Sequence, residues 1–244
     1  MKNRNRRFLP FDVLFEDRDI IVIDKPAGLL TTHTRLHGRA AREAQATAEN
    51  ILNDYVRKGQ AKSSRRVWLV HRLDRETSGV MMFAKSEAVA ERLRDRWNEI
   101  AEKTYLARVE GKMPEESGTF KSYLRDDPRT MKVSSVADPA RGKLSITEWR
   151  KLGETNSETL VEVKPKTGRK NQIRVHFSEA GHPIVGDVKY GARKAKRMFL
   201  HALELKLSLP QYPEPFRAEP SAKKDGMWFP CARSPEPDSS EVRQ

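Results

Sequence analysis

Among 244 residues there is a single cysteine, Cys231. No intramolecular disulfide can form, and a cysteine-based zinc site is excluded. The cytoplasm is the compartment to expect for such a chain. Cys231 itself has no visible activating partner and reads as inert. Long apolar runs are missing too: nothing approaches the roughly 18 residues of a membrane span, and no lipidation signal is present, so no membrane role is expected. Residues 1–10 carry Lys2, Arg4, Arg6 and Arg7 but no apolar core of a secretory signal, and read as a basic arm. His33, His37, His176, His182 and His201 lack metal-ligand spacing, so no metal is expected. Acidic residues are scarce relative to basic ones, 34 against 47, leaving a formal net charge of +13. That excess favours a polyanionic partner, and with membranes set aside the partner is nucleic acid.

No repeat and no composition break divides residues 11–233, which read as one domain, while the Pro-, Glu- and Ser-rich residues 234–244 read as a disordered tail. Residues 13–15 and the apolar run Ile20, Ile21, Val22 and Ile23 form two strands, the second ended by Lys25-Pro26-Ala27-Gly28. Residues 33–45 read as an exposed loop or marginal helix. A helix is expected over residues 47–58, capped by Thr47, carrying Ile51, Leu52, Tyr55 and Val56 on one face, and closed by Gly59. Further strands are expected at 67–70, 80–84 and 104–109. Between the last two, Ser86 caps a helix with Val89, Leu93, Trp97 and Ile100 on one stripe. Residues 112–143 hold few apolar side chains and read as short strands or loop. Strands follow at 144–149 and 160–163, a helix at 171–180 closed by Gly181, and a last strand at 199–207. Strands outnumber helices and come in hairpin-like pairs. The expected class is therefore α+β: a mixed, mostly antiparallel sheet flanked by helices and loops.

Two segments carry chemistry. His71-Arg72-Leu73-Asp74-Arg75-Glu76-Thr77-Ser78-Gly79 packs charged groups, a histidine and two hydroxyls between two apolar strands. Such a segment lies at the mouth of a sheet, where loops carry function on a rigid frame. Positive charge from Arg72 and Arg75 would favour the ionised Asp74 carboxylate. The same residues also suit an ordinary charged turn in which Asp74 and Thr77 cap the local backbone. A glycosidase pair of Asp74 and Glu76 needs carboxylates about 5 Å or more apart across a sugar, which such close neighbours rarely provide. The second segment is Thr167-Gly168-Arg169-Lys170-Asn171-Gln172-Ile173-Arg174-Val175-His176. If Thr167-Gly168 turns a strand into a helix, Arg169 and Lys170 flank an N-terminus whose free N–H groups make an anion site. A basic, solvated helix start with no specific task is the alternative.

Together these segments resemble the RluA-type pseudouridine synthases. The family's signature, His-Arg-Leu-Asp followed by two variable residues and Thr-Ser-Gly, matches residues 71–79 in full. In the family's order come also Lys25-Pro26-Ala27-Gly28, Lys103-Thr104-Tyr105, the Thr-Gly-Arg to Val-His block above, Gly181-His182-Pro183-Ile184-Val185-Gly186-Asp187, Tyr190-Gly191 and Leu200-His201-Ala202. The similarity spans about residues 11–210.

The resemblance implies a central RNA-binding cleft and the conversion of uridine to pseudouridine in structured tRNA or ribosomal RNA. Residue by residue it implies that Asp74 is the essential aspartate, and that Tyr105 stacks on the target base and is a candidate proton acceptor. Arg174 would pair with the aspartate, and Ile173 would pack beside the tyrosine. Arg72 would enter the space left by a flipped nucleotide, with Arg169 and Lys170 on the RNA. One departure stands out: Asn171 occupies the usual place of a histidine, which is expected to leave the nucleophile untouched. The reaction imports no group and changes no oxidation state, so no cofactor is expected, and no protein partner is implied beyond a monomer. Many relatives carry an N-terminal RNA-binding extension; the pattern here starts near residue 11, so a catalytic domain alone is expected. Two other classes compete: an RNA chaperone on the same fold, and a carboxylate glycosidase or metal nuclease, the latter disfavoured by the lack of clustered acidic ligands.

Overall fold

A computed structural model of the chain describes residues 9–33, 46–58, 60, 62–221 and 228. Its strands and helices run in the order β1 (Asp12–Glu16), β2 (Ile20–Lys25), α1 (Ala48–Arg57), β3 (Trp68–Leu69), β4 (Ser78–Ala84), α2 (Glu87–Asp95), α3 (Trp97–Ile100), β5 (Ala101–Glu110), β6 (Ser117–Asp127), β7 (Lys132–Val136), β8 (Lys143–Glu154), β9 (Glu158–Pro165), α4 (Gln172–Glu179), β10 (Leu200–Leu207) and β11 (Phe216–Arg217). All strands join one 11-stranded sheet, ordered β1-β2-β4-β10-β5-β9-β8-β6-β7, with β3 beside β4 and β11 beside β10. Among the described strands only β4 and β10 pair in parallel, beside an isolated parallel bridge between Leu30 and Thr47. The expected α+β class with a mixed, mostly antiparallel sheet is what the chain adopts. Most of the arm 1–10, the segment 34–45, Gly59, Cys231 and the tail 234–244 lie outside the described residues.

The run Ile20 to Ile23 is apolar at every position because both faces of β2 are covered. Ile20 and Val22 pack with Val80 and Met82 of β4 against Val89, Ala90 and Leu93 of α2. Ile21 and Ile23 pack with Met81 and Phe83 against Ala48, Leu52 and Val56 of α1 on the other face. A third cluster joins Ala107 and Val109 of β5, Val161 and Val163 of β9, and Ile173 and Phe177 of α4. α1 begins as expected, with Thr47 Oγ1 accepting from Asn50 N–H. It ends one residue earlier than the glycine suggests, because Lys58 itself takes the left-handed conformation (φ 51°). The stripe that reads as one helix breaks at Arg96 into α2 and α3. Val89, Leu93 and Ile100 stay buried, whereas Trp97 turns to stack on His71, with centroids 4.8 Å apart.

Residues 112–143 depart most from expectation. They contain β6, 11 residues long, hairpinned to the 5-residue β7. β6 is held by its ladder to β8 from Ser117 to Leu124 and exposes one face, so it needs few apolar side chains.

Candidate active site

Most residues of the 71–79 segment are fixed by neighbours from other elements. His71 Nε2 accepts the Met82 N–H at 3.0 Å. Burial, reinforced by the charge of Lys103, lowers its pKa to about 3, so the ring is neutral and this nitrogen an acceptor. Leu73 is buried, and its C=O accepts Thr31 Oγ1–H at 2.8 Å. The Arg75 C=O accepts from Gly28 N–H at 2.7 Å and from Lys25 Nζ at 3.2 Å. Lys25 is fully buried and also donates to the carbonyls of Pro26 and Leu29, tying the Lys-Pro-Ala-Gly turn to the aspartate loop. Burial lowers its pKa to about 7, against the raising influence of Asp74 and Glu76. Thr77 and Ser78 are buried; Ser78 Oγ lies 2.7 Å from His201 Nδ1 and accepts from Arg197 Nη2 at 2.6 Å. His201 Nε2 meets the Ala218 carbonyl at 2.6 Å, so this histidine is a satisfied structural one. Gly79 (φ +109°) closes the segment where β4 meets β10: a Cβ there would lie 2.1 Å from the Ala202 carbonyl oxygen.

With its neighbours anchored, Asp74 is left half-buried on a cleft of about 410 Å³, lined also by Arg72, Lys103, Tyr105, Ile173, Arg174 and the 167–172 turn. Arg174, buried on α4, donates from Nη1 to Asp74 Oδ2 at 3.1 Å. Its Nε and Nη2 bind both oxygens of buried Asp187, each at 2.7 Å. Burial opposes the guanidinium charge, but Asp187 and Asp74 more than offset that and raise its pKa. The aspartate's counter-charge therefore comes from Arg174. Arg75 pairs instead with Glu76, and Arg72 stands exposed at the cleft mouth.

Asn171 reaches the aspartate, a contact that the sequence alone does not reveal. Its Nδ2 donates to Asp74 Oδ2 at 2.6 Å, and its Oδ1 accepts the Tyr190 hydroxyl at 3.2 Å. Its left-handed backbone (φ 53°), a conformation that suits asparagine, turns the side chain back from the start of α4 to the loop. Tyr190 in turn accepts Val133 N–H from β7 at 3.1 Å and faces the Arg174 guanidinium at 5.0 Å. Among the described residues no donor reaches Asp74 Oδ1, which leaves that oxygen available to a ligand.

Tyr105 on β5 and Ile173 on α4 belong to one apolar cluster at the cleft wall. Burial, with Asp74's charge adding, raises the Tyr105 hydroxyl well above its ordinary range, so it presents a neutral phenol rather than a phenolate. The 167–172 turn is less open than its sequence suggests. Arg169 N–H is taken by Gln172 Oε1 at 3.0 Å, Arg169 Nε binds the Leu144 carbonyl at 3.1 Å, and Lys170 pairs with Asp126 at 2.7 Å. Gln172 to Phe177 are all buried, so α4 is a core helix and not a solvated one. Sequence alone singles out neither Asp187 nor Tyr190 for a role in the site. Both stand in matched blocks, but local context does not separate Asp187 from a surface aspartate. Among the described residues no group of three His, Cys, Asp or Glu side chains could hold a metal ion, and no helix is long and apolar enough to cross a membrane.

The chain is similar to known proteins over most of its length. The RNA pseudouridylate synthase family model matches residues 19–179. Ribosomal large subunit pseudouridine synthase C of Rickettsia bellii is 37% identical over 203 residues, which cover 80% of this chain and 63% of that protein. Dual-specificity RNA pseudouridine synthase RluA of Yersinia pestis is 34% identical over 209 residues, 83% of this chain and 95% of that protein. Ribosomal large subunit pseudouridine synthase D of Borreliella burgdorferi is 31% identical, with 82% and 62% covered. The chain thus spans a little over three fifths of the Rickettsia and Borreliella relatives. In fold, human RNA Pseudouridylate Synthase Domain Containing 4 superposes with a TM-score of 0.68 at 24% identity over 85% of this chain and 87% of that one. The chain belongs to the RNA pseudouridylate synthase family, among its RluA-type members.

Proposed function

We propose that the chain isomerises uridine to pseudouridine in structured RNA, a stem-loop of ribosomal or transfer RNA, with Asp74 as the reacting carboxylate. The observation that carries this is the state of Asp74: Oδ2 is held by Arg174 and Asn171, while Oδ1 is left to the cleft. The reaction breaks the bond from C1′ to N1, turns the uracil, joins C1′ to C5, and balances the proton lost from C5 with one taken up at N1. Nothing is oxidised or added. A carboxylate oxygen serves it by bonding to carbon or by taking a proton. To reach Oδ1 the nucleotide must leave its stack, at a cost of a few kcal/mol, and the Tyr105 ring and Ile173 offer it an apolar face. Exposed Arg72 at the mouth is positioned to fill the space left behind. The names of the Rickettsia and Borreliella relatives favour large-subunit ribosomal RNA.

The test is tritium release from RNA labelled with [5-³H]uridine. The wild-type chain is expected to release tritium, and Asp74→Ala to fall to background while keeping its fold. Equal release by both would remove Asp74 from the chemistry. Carbodiimide mapping of ribosomal and transfer RNA, with and without the gene, would identify the target.

A further inference from the structure

A second groove, of about 470 Å³, opens beside the cleft under the β6–β7 hairpin. The two share Gly168, Arg169 and Lys170 as a common wall. Arg125, Arg141, Lys143, Arg169 and Lys170 line it, all exposed, against one acidic side chain, Asp126. Lys170 neutralises Asp126, with Nζ 2.7 Å from Oδ2. The neighbouring acids are turned to their own backbones: Asp127 accepts from Arg129 N–H and Thr130 Oγ1, and Asp138 from Ala140 N–H. Arg141 and Lys143 form no ion pair among the described residues. Gly142 between them packs close against the β6–β7 hairpin, where a Cβ would meet Val136 and Tyr123 at 2.7 and 2.8 Å. So much unpaired like charge around one concavity repels itself, and an anion threading the groove relieves it.

Resting on the reading of the chain as an RNA isomerase, we infer that this groove is a phosphate subsite. It takes the backbone of the nucleotides flanking the target, with Arg141 and Lys143 as the principal contacts. The shared wall sets the path: a strand whose target base enters the cleft continues over Gly168 into the groove. The base sits with Asp74, while the neighbouring phosphates lie among the guanidinium and ammonium groups. Contacts of this kind hold the strand in register without reading its sequence. The groove is also linked to the aspartate, because β7, which supplies Val133 to its lining, carries the N–H that holds Tyr190, and Tyr190 holds Asn171.

The experiment measures how the affinity for a fluorescein-labelled stem-loop RNA depends on salt, alongside tritium release from [5-³H]uridine-labelled ribosomal and transfer RNA transcripts. Arg141→Ala/Lys143→Ala is expected to flatten the slope of log K against log salt by about 0.7 for each phosphate no longer neutralised, about 1.4 for the pair. The charge-keeping Arg141→Lys/Lys143→Arg should restore most of it. Lys206→Ala/Arg217→Ala removes equal charge at the far β10–β11 side and should leave the slope as in wild type. An unchanged slope in the groove variant, or the same change in the control pair, would overturn the subsite. Absence of tritium release by the wild-type chain from both ribosomal and transfer RNA transcripts would instead overturn the isomerase reading, and the slopes would still decide whether the groove binds RNA.

Discussion

At the scale of single residues, the site turns on how the hydrogen bonds of one guanidinium are divided between two carboxylates, with Glu76 a looser ion-pair partner at 3.9 Å. Asp187 holds Nε and Nη2 of Arg174 and leaves Nη1 for Asp74. A planar fork can serve both partners at once, and an ammonium cannot. Arg174→Lys is therefore expected to lower kcat by about a hundredfold or more, since misplaced catalytic groups cost that much. Circular dichroism should show the fold kept, and a variant with kcat near wild type would mean that orientation by Arg174 is dispensable. Asn171 makes a smaller contribution. Asn171→Ala removes one hydrogen bond to a charged oxygen, worth roughly 1.5–3 kcal/mol, so kcat should fall by about ten- to a hundredfold. KM should hardly change, because the amide meets the aspartate rather than RNA; a rise in KM with kcat intact would point to an RNA contact instead.

At the scale of elements, the seam between β4 and β10 decides where the signature segment points. Gly79→Ala puts a methyl group 2.1 Å from the Ala202 carbonyl and forces a left-handed backbone (φ +109°) on alanine. Strain and overpacking together are expected to cost about 3 kcal/mol or more. Thermal melting should then shift down by roughly 6 °C or more, at 2–4 °C per kcal/mol for a chain of this size; an unshifted melt would show that the seam can open at no cost. The terminal glycine of the motif is thus legible in sequence, but its reason is not, because Ala202 lies more than 120 residues away. The same limit explains the other departures. Alternation and caps mark the strands and helices whose apolar faces are local, such as β2, α1 and β10. They fail for β6, whose pairing with β8 supplies what hydrophobicity does not. They find α4 as well, but not the burial of Arg174 and His176 within it, which follows only once Asp187, Ser122 and Thr147 are placed around them. Of the site, Asp74, Tyr105 and Arg174 stand out in the sequence pattern. The contacts of Asp187, Tyr190 and Asn171 emerge only in three dimensions.

At the scale of the molecule, two neutral histidines set a response to acid. Burial lowers the pKa of both His71 and His176 below the ordinary 6.5. The unfolded chain therefore takes up these protons first, and the histidines' contribution to stability is complete above about 6.5 and declines as pH falls. His71 continues to contribute to the loss down to about 3. Urea midpoints should drop between pH 7.5 and 5.5, before most carboxylates titrate. His71→Gln should lower the midpoint at pH 7.5 yet show a shallower decline, and an equal decline would assign the acid response elsewhere.

The parallel seam also fixes an order of events. Ser78 and His201, bonded across it, are 123 residues apart, and Asp74 and Arg174 are 100 apart. Contacts so distant along the chain close late in folding and on synthesis must wait for the second partner. A nascent chain that has not yet delivered β10 has the signature segment but no strand to lay it on. The aspartate loop is thus completed only after nearly all of the described chain has left the ribosome. An unfinished chain therefore carries the signature segment without the seam that positions Asp74.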